Sequence, residues 1–415
     1  LQRHIARESG VKNVLKLALG ILTSIGGYLE AGSIGTALQA GASFHFQLLW
    51  PIAAGTLCLA LLTEMTGRLA AVSHHTVVGA VRKRFGFTLQ MWPLLTQILI
   101  DLFVLACEVG GAAFALELAT GISMRMWAVP VAFGLWLLLW RGTFGLIENG
   151  VAMLGLVTLA FPIAVVLLHP DWRAVAIGLI PQRPHAEPAH YGYLAVSILG
   201  ATISPYLVTF YSSGAVEEKW KEEDLLANRI VAGLGMMFGG LISIGVVIVA
   251  AMVLGPAGKE PQSFRDAAGV LSGPLGQAGF RLFCASLFIG CFGAALELAL
   301  DVAYIIAQSL GWQWSENQRP ADGARFALIY TLALAIVTVP SLAGVNPLQL
   351  TMISMALTVV ALPIMLAPLL VVMNDRDYLK THTNGWFSNL AVLVIIVLSF
   401  VLALLAIPLQ VMGGS

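Results

Sequence analysis

Glu30, Asp101, Glu297 and Asp301 are carboxylates inside stretches of chain that are otherwise apolar. A carboxylate at membrane depth is costly and is kept where it binds a cation, carries a proton or meets a polar partner. Glu30 lies in "SIGGYLEAGSIGTALQAGAS" (24–43), among five glycines. Repeated glycine weakens a helix, so this acid stands where the backbone is ready to break. Glu297 and Asp301, in "AALELALDVAY" (294–304), are spaced i,i+4 and share one helical face. Two acids this close repel, which makes them a proton acceptor or a cation site. The alternative is that they meet a loop, water or a basic partner such as Arg325. Asp101 is a further candidate for a proton path.

The elements that position these acids follow from composition. The chain has 415 residues, of which 58% are hydrophobic and 11% charged. A soluble domain carries about 25% charged residues, so this is an integral membrane protein. Apolar runs of 18 or more residues imply helices rather than the short alternating strands of a barrel. The net charge is zero, which gives no reason to expect a nucleic-acid partner. No nucleophile–base constellation is visible, so an enzyme is not expected. Cys58, Cys107, Cys284 and Cys291 all lie in apolar stretches without CxxC spacing, so neither a disulfide framework nor a zinc site is implied.

Eleven spans are predicted, near 12–42, 46–72, 89–119, 123–141, 146–168, 191–216, 225–255, 279–310, 323–343, 347–374 and 385–410. With the N-terminus in the cytoplasm, 16 of the 22 Lys and Arg residues fall inside and 6 outside, as the positive-inside rule requires. The polar, basic "LQRHIARESG" then reads as a cytoplasmic lead-in without a signal-peptide pattern. The C-terminal "LQVMGGS" would lie outside.

The first span, "GGYLEAGSIG" (26–35), has a counterpart in the sixth, "ILGATISPYLVTFYSSG" (198–214). Both put Gly and polar residues midway along an apolar run. Pro205 removes an N–H and disfavours helix at Ser204. Taken singly, such residues are ordinary kinks or close-packing positions. Two interruptions five helices apart are the mark of a five-plus-five inverted repeat, with unwound backbone lining a site near the midplane. The predicted arrangement is one transmembrane domain over 1–415, with repeats near 12–168 and 191–374 and an extra helix at 385–410.

The sequence resembles the Nramp metal-ion transporters (natural-resistance-associated macrophage proteins). The likeness is carried by "SIGTALQAGASFHFQLLW" (33–50), "ACEVGGAAFAL" (106–116), "RGTFGLIE" (141–148), "LGATISPYLVTFYSS" (199–213) and "ALPIMLAPLL" (361–370). Their order and spacing along most of the chain imply the all-α, LeuT-type fold with broken helices 1 and 6. The working residues match less well. The family's first-helix Asp-Pro-Gly-Asn reads Glu30-Ala31-Gly32-Ser33, and its sixth-helix Met-Pro-His reads Ser204-Pro205-Tyr206. The carbonyl-donating Ala falls at Ala201. No Gln stands near Met355 or Ala361, where the tenth helix usually offers one. Glu108 matches the third-helix Glu of the family's proton path, whereas the Asp of that path falls at Leu105.

Loss of the thioether and imidazole leaves oxygen donors: Glu30, Ser33, Ser204, Thr202, Tyr206 and backbone carbonyls. Oxygen suits hard cations such as Mg²⁺ or Mn²⁺. The resemblance therefore implies a secondary transporter of a divalent cation. Glu30, Ser33, Ala201 and Ser204 are the expected metal ligands, Tyr206 shapes the site, and no bound cofactor is expected. Asp101, Glu108, Glu297 and Asp301 form the expected proton or second-cation path. The same set could bind an amine or a small polar solute, and both readings stay open. A monomer in the cell membrane is expected.

The remaining polar residues have plainer readings. Glu64 and Arg68 form an i,i+4 pair, and Glu117 reaches the outer interface. His74, His75 and Arg82-Lys83-Arg84 make a basic cytoplasmic loop. His185 and His190 lie in a Pro-rich outer loop. Trp50, Trp92, Trp127 and Trp140 are expected to anchor at the interface.

Overall fold

The computed structural model describes residues 29–141, 155–184, 187–258 and 260–411, and the regular structure among them is entirely helical. The main helices are α1 (Ala31–Phe44), α2 (Leu49–Ser73), α3 (Val77–Thr120), α4 (Met124–Arg141), α5 (Ala160–Leu168) and α6 (Pro188–Thr202). They continue with α7 (Pro205–Glu217), α8 (Met236–Val253), α9 (Gln277–Leu310), α10 (Ala324–Ala343), α11 (Pro347–Met373) and α12 (Trp386–Val411). Each of the eleven expected spans coincides with one of these, the sixth with the pair α6–α7. Residues 12–28 of the first span and 146–154 of the fifth lie outside the described residues. Among the described residues seven helical segments are long and apolar enough to cross a membrane by themselves, including α2, α3, α9, α10 and α11.

The helices sort into two groups. α1, α2, α6–α7 and α8 pack chiefly on one another, as do α3, α4, α9 and α10. α11 bridges them, touching α3 on one side and α6 and α1 on the other, while α12 covers α11, α6 and α2 from outside. Glu30 and Tyr206 belong to the first group. Asp101, Glu108, Glu297 and Asp301 belong to the second.

Two local expectations need correction. The stretch after His75 is not a loop. Thr76 caps a helix at Val77 by accepting from the Gly79 N–H at 3.1 Å. That helix runs through the basic residues to Gly86, where a φ of +79° turns the chain into the long span. Only glycine adopts that conformation readily, so a non-helical residue hides inside an apparently continuous helix. Trp50 is not an interface anchor either. It is buried, and its indole N–H donates to the Tyr191 hydroxyl at 2.9 Å. Trp92 and Trp140 are exposed, as expected of anchors. His190 stands in the first helical turn of α6 beside Glu260, at 3.2 Å, rather than in a loop; His185 lies outside the described residues.

Charged residues collect at the two ends of the bundle. At one end Glu64 pairs with Arg68 at 3.2 Å, as the i,i+4 spacing predicts, Arg84 with Asp375 at 2.8 Å and Lys380 with Glu222 at 3.1 Å. At the other, Arg265 pairs with Glu117 and Arg125 reaches the Ala343 carbonyl. The four cysteines are buried and free.

Candidate functional site

Among the described residues the first span is helical from Ala31, with Glu30 just before it. Glu30 has extended backbone (φ −116°, ψ 175°) and precedes the first turn of α1. Ser33 clamps it: the serine hydroxyl accepts from the Glu30 N–H at 3.0 Å and donates to the Glu30 carbonyl at 3.1 Å. The Glu30 side chain in turn accepts from the Ser33 N–H, which completes a capping box, so the serine's polarity is largely spent on the backbone. The second break is complete. α6 ends at Thr202, Ile203 and Ser204 are non-helical, and α7 begins at Pro205. Proline is placed at the one helical position where its missing N–H costs nothing.

Glu108 holds the first break from across the group boundary. The Ala31 N–H, first in α1, donates to both Glu108 carboxylate oxygens at 3.1 Å. A carboxylate at a helix N-terminus satisfies an orphan donor and opposes the positive end of the helix dipole. The acid expected on a proton path thus supports the start of the broken helix.

Glu30 is different. It is only 1% exposed, and its carboxylate meets the Tyr206 hydroxyl and the Ser33 N–H rather than a cation. The Tyr206 hydroxyl, in the first turn of α7, stands within reach of it. Glu108 and Glu297 lie within Coulombic range, and Glu30, Asp101, Glu108 and Asp301 form no salt bridge among the described residues. A buried charge is ordinarily paired. This one points into the space between the breaks.

One neighbour was not foreseen. A methyl group built on Gly32 would lie 2.8 Å from the Met355 sulfur and 3.1 Å from Glu30 Oε1. The thioether and the carboxylate therefore flank the same glycine. A methyl group on Gly200 would meet the Met355 carbonyl oxygen at 1.9 Å. Met355, on α11, is thus wedged between the two breaks, and both glycines are needed for its approach. The resemblance points to this stretch only for a missing Gln; the signal in the sequence is a methionine at the depth of the breaks, which many apolar spans contain.

The other expected ligands are placed as follows. Ala201 and Thr202 form the last turn of α6, and Ser204 and Tyr206 flank Pro205; all four are buried. The Thr202 hydroxyl donates to the Ile198 carbonyl at 2.7 Å, and its methyl abuts Gly55 of α2. Among the described residues no group of three or more His, Cys, Asp or Glu converges closely enough to hold a metal ion.

A second acidic feature lies deeper on α3 and α9. Gln97 donates to Asp301 Oδ2 at 3.1 Å and to the Thr209 hydroxyl at 2.7 Å, and Thr209 donates to the same Asp301 oxygen at 2.8 Å. Asp101 faces Asp301 across the helix pair. Glu297, one turn away from Asp301, faces Glu30 and Tyr206 instead. Arg325 lies over Trp312 at 5.2 Å rather than at Asp301. A cavity of about 40 Å³ touches Gln97 and Thr209, room enough for water.

A helix broken at Ile203–Ser204, packed beside a helix that begins at Ala31 next to a buried acid, inside a multi-pass bundle, fits a membrane carrier of the inverted-repeat type. A nucleobase-cation-symport-1 family transporter shares this architecture, with a TM-score of 0.62 at 15% identity over 94% of this chain and 92% of that one. The manganese transporter of Eremococcus coleocola is nearer, with a TM-score of 0.78 at 21% identity over 96% and 87%. These likenesses establish the LeuT-type fold. The family model for natural resistance-associated macrophage protein-like sequences matches residues 20–408. The chain belongs to the Nramp family. It is 27% identical to the divalent metal cation transporter MntH of Deinococcus radiodurans, over 90% of this chain and 85% of that protein. It is 28% identical to MntH 1 of Pseudomonas aeruginosa, over 93% and 91%. The family is one of transporters, not enzymes.

Proposed function

We propose that this protein is a secondary transporter that moves a divalent cation by alternating access, with Glu30 as its charged ligand. The observation that carries the reading is the Glu30 carboxylate, buried beside the α6–α7 break with no cationic side chain paired to it among the described residues, in a chain whose relatives are named divalent metal cation transporters. Ser33, Ala201 and Ser204 line the ion's path, with carbonyl oxygens freed by the breaks as further donors. Tyr206 closes the site against α7.

Met355 changes the expected selectivity. An oxygen set alone would favour Mg²⁺ and Mn²⁺ equally well, but a thioether prefers softer metals. We therefore place Mn²⁺ ahead of Mg²⁺. Movement of the group α1, α2, α6–α7 and α8 against the group α3, α4, α9 and α10 gives access to each side in turn, within a repeat organisation of about 12–168 and 191–374. Asp101 and Asp301 sit on the second group, and Asp301 reaches Thr209 on the first. Two facing carboxylates in apolar surroundings need a proton or a cation between them, so this pair carries the coupling ion. The carrier works as a monomer, with the end holding Arg68, Arg84 and Lys380 in the cytoplasm; the N-terminus is then inside and the C-terminus outside.

A second reading, a carrier of a small amine or polar solute, is favoured by one observation: no three metal-ligating side chains converge among the described residues. Calorimetric titration of the purified protein with Mg²⁺, Mn²⁺ and Cd²⁺ separates the two. Saturable heat with Mn²⁺ and Cd²⁺, weaker with Mg²⁺ and lost in Glu30→Gln, is the expected result. Absence of heat with every cation overturns the metal reading and leaves the organic solute.

A further inference from the structure

Where α11 ends and the chain crosses to α12, a cavity of about 1400 Å³ opens at the end of the bundle that holds most of the cationic side chains. It belongs to neither break. Its mouth carries Lys83 and Arg84 from the helix before Gly86, and Arg376 and Lys380 from the crossing segment, against two acids, Asp375 and Asp377. Arg84 is occupied by Asp375 at 2.8 Å and Lys380 by Glu222 at 3.1 Å. Lys83 and Arg376 are exposed and form no ion pair among the described residues; Lys83 only rests 5.8 Å from the Tyr378 ring. The mouth is therefore net positive with two free cations.

Below the mouth the walls become apolar. Pro363, Ala367 and Leu370 of α11 face Leu393 and Ile396 of α12. Along α11 the lining descends from Asn374 to Pro363, which at 1.5 Å per residue is about 16 Å. That is roughly half of a 30 Å hydrocarbon core, the depth of one leaflet. A soluble anion has no use for such walls, and a neutral lipid has no use for the mouth.

We propose that this cavity binds one anionic phospholipid of the leaflet on that side, its phosphate between Lys83 and Arg376 and an acyl chain along Ala367, Leu370, Leu393 and Ile396. Cationic pockets between membrane helices on the cytoplasmic side recognise such headgroups, and arginine matches the geometry of phosphate. The lipid ties α12, which lies outside both helix groups, to α11, which bridges them. The proposal does not depend on what the protein transports.

The test uses the purified full chain in detergent, probed with phosphatidylglycerol, phosphatidylcholine and soluble glycerol 3-phosphate. Native mass spectrometry reads retention, and thermal unfolding reads stabilisation. Phosphatidylglycerol is expected to be retained one per chain and to raise the melting temperature, the other two not. The double variant Lys83→Ala/Arg376→Ala should weaken that binding roughly 30-fold, from two surface cations lost. Ala367→Trp fills the apolar wall without changing charge and should abolish retention as well. Because these side chains are exposed, the fold should survive; should the double variant fail to fold, Ala367→Trp decides alone. Equal retention of the two lipids, or wild-type retention by Ala367→Trp, overturns the proposal. Stabilisation by glycerol 3-phosphate as strong as by phosphatidylglycerol overturns it too, in favour of a free-phosphate site.

Discussion

Glu30 and Asp301 are both fully buried acids inside the same bundle, yet the backbone around them is built in opposite ways. Asp301 lies mid-helix on α9, and its partners come from two neighbouring helices: Gln97 from α3 and Thr209 from α7. Its helix spends every nearby backbone group internally, so only side chains can answer it. Glu30 stands at the N-terminus of α1. Its own backbone is tied up by Ser33, the first N–H of α1 is taken by Glu108, and the carboxylate meets Tyr206 but no cation. The contrast teaches that a helix break does more than expose carbonyls. It lets polar partners satisfy the backbone while a charge remains available for a ligand. Asp301, on an unbroken helix, is instead drawn through its Oδ2 into a local network with Gln97 and Thr209, suited to holding a proton or fixing a helix rather than to binding cargo.

Substitutions at the two acids should separate them most sharply. Glu30→Ala and Glu30→Gln are each expected to lower Mn²⁺ uptake into proteoliposomes about 100-fold or more, since the ion loses its charged partner in a buried site. Wild-type uptake by both variants would make Glu30 structural. Asp301→Asn and Asp101→Asn are expected to leave Mn²⁺ binding within about threefold, because neither touches the ion, while removing the dependence of uptake on pH that a shared proton imposes. If either Asn variant loses Mn²⁺ binding as completely as Glu30→Gln, the two regions form one site and the distinction fails.

Met355→Leu keeps volume and removes sulfur. Competition between Cd²⁺ and Mg²⁺ should shift about tenfold toward Mg²⁺, with the melting temperature little changed; unchanged competition would show that the thioether packs against Gly32 without meeting the ion. The smallest effect is expected at Glu108. Glu108→Gln keeps an acceptor for the Ala31 N–H but loses the charge opposing the α1 dipole. Thermal unfolding should register a cost of about 1 kcal/mol, while Mn²⁺ affinity stays within a few-fold. A collapse of affinity without a change in stability would place Glu108 at the ion instead.

Much of this architecture was legible before any coordinates. Apolar run length sets the spans, because lipid demands an internally bonded helix of a given length. Pro205 and the glycines around Glu30 mark the breaks, because backbone propensity is local chemistry. Gly86 escaped notice, since one glycine at a membrane edge carries no distinctive pattern, and the basic stretch beside it therefore read as a loop. Trp50 misled for the same reason: an aromatic near a span end is an anchor only if lipid, and not Tyr191, meets it.

Composition and sequence order by themselves determined a multi-pass helical protein, the positions of two interruptions and the presence of an acid at the first. These are properties of single segments, fixed by hydropathy and by the stereochemistry of Gly and Pro. Which acids meet was decided only by tertiary packing. The i,i+4 spacing of Glu297 and Asp301 gave them a common face, but only the packing of α3 and α7 on α9 brought Gln97 and Thr209 to Asp301. Likewise Met355, 325 positions along the chain from Glu30, became its neighbour only because Gly32 and Gly200 let α11 approach both breaks. Contacts of that kind depend on how whole helices cross, and no local pattern in a chain encodes them.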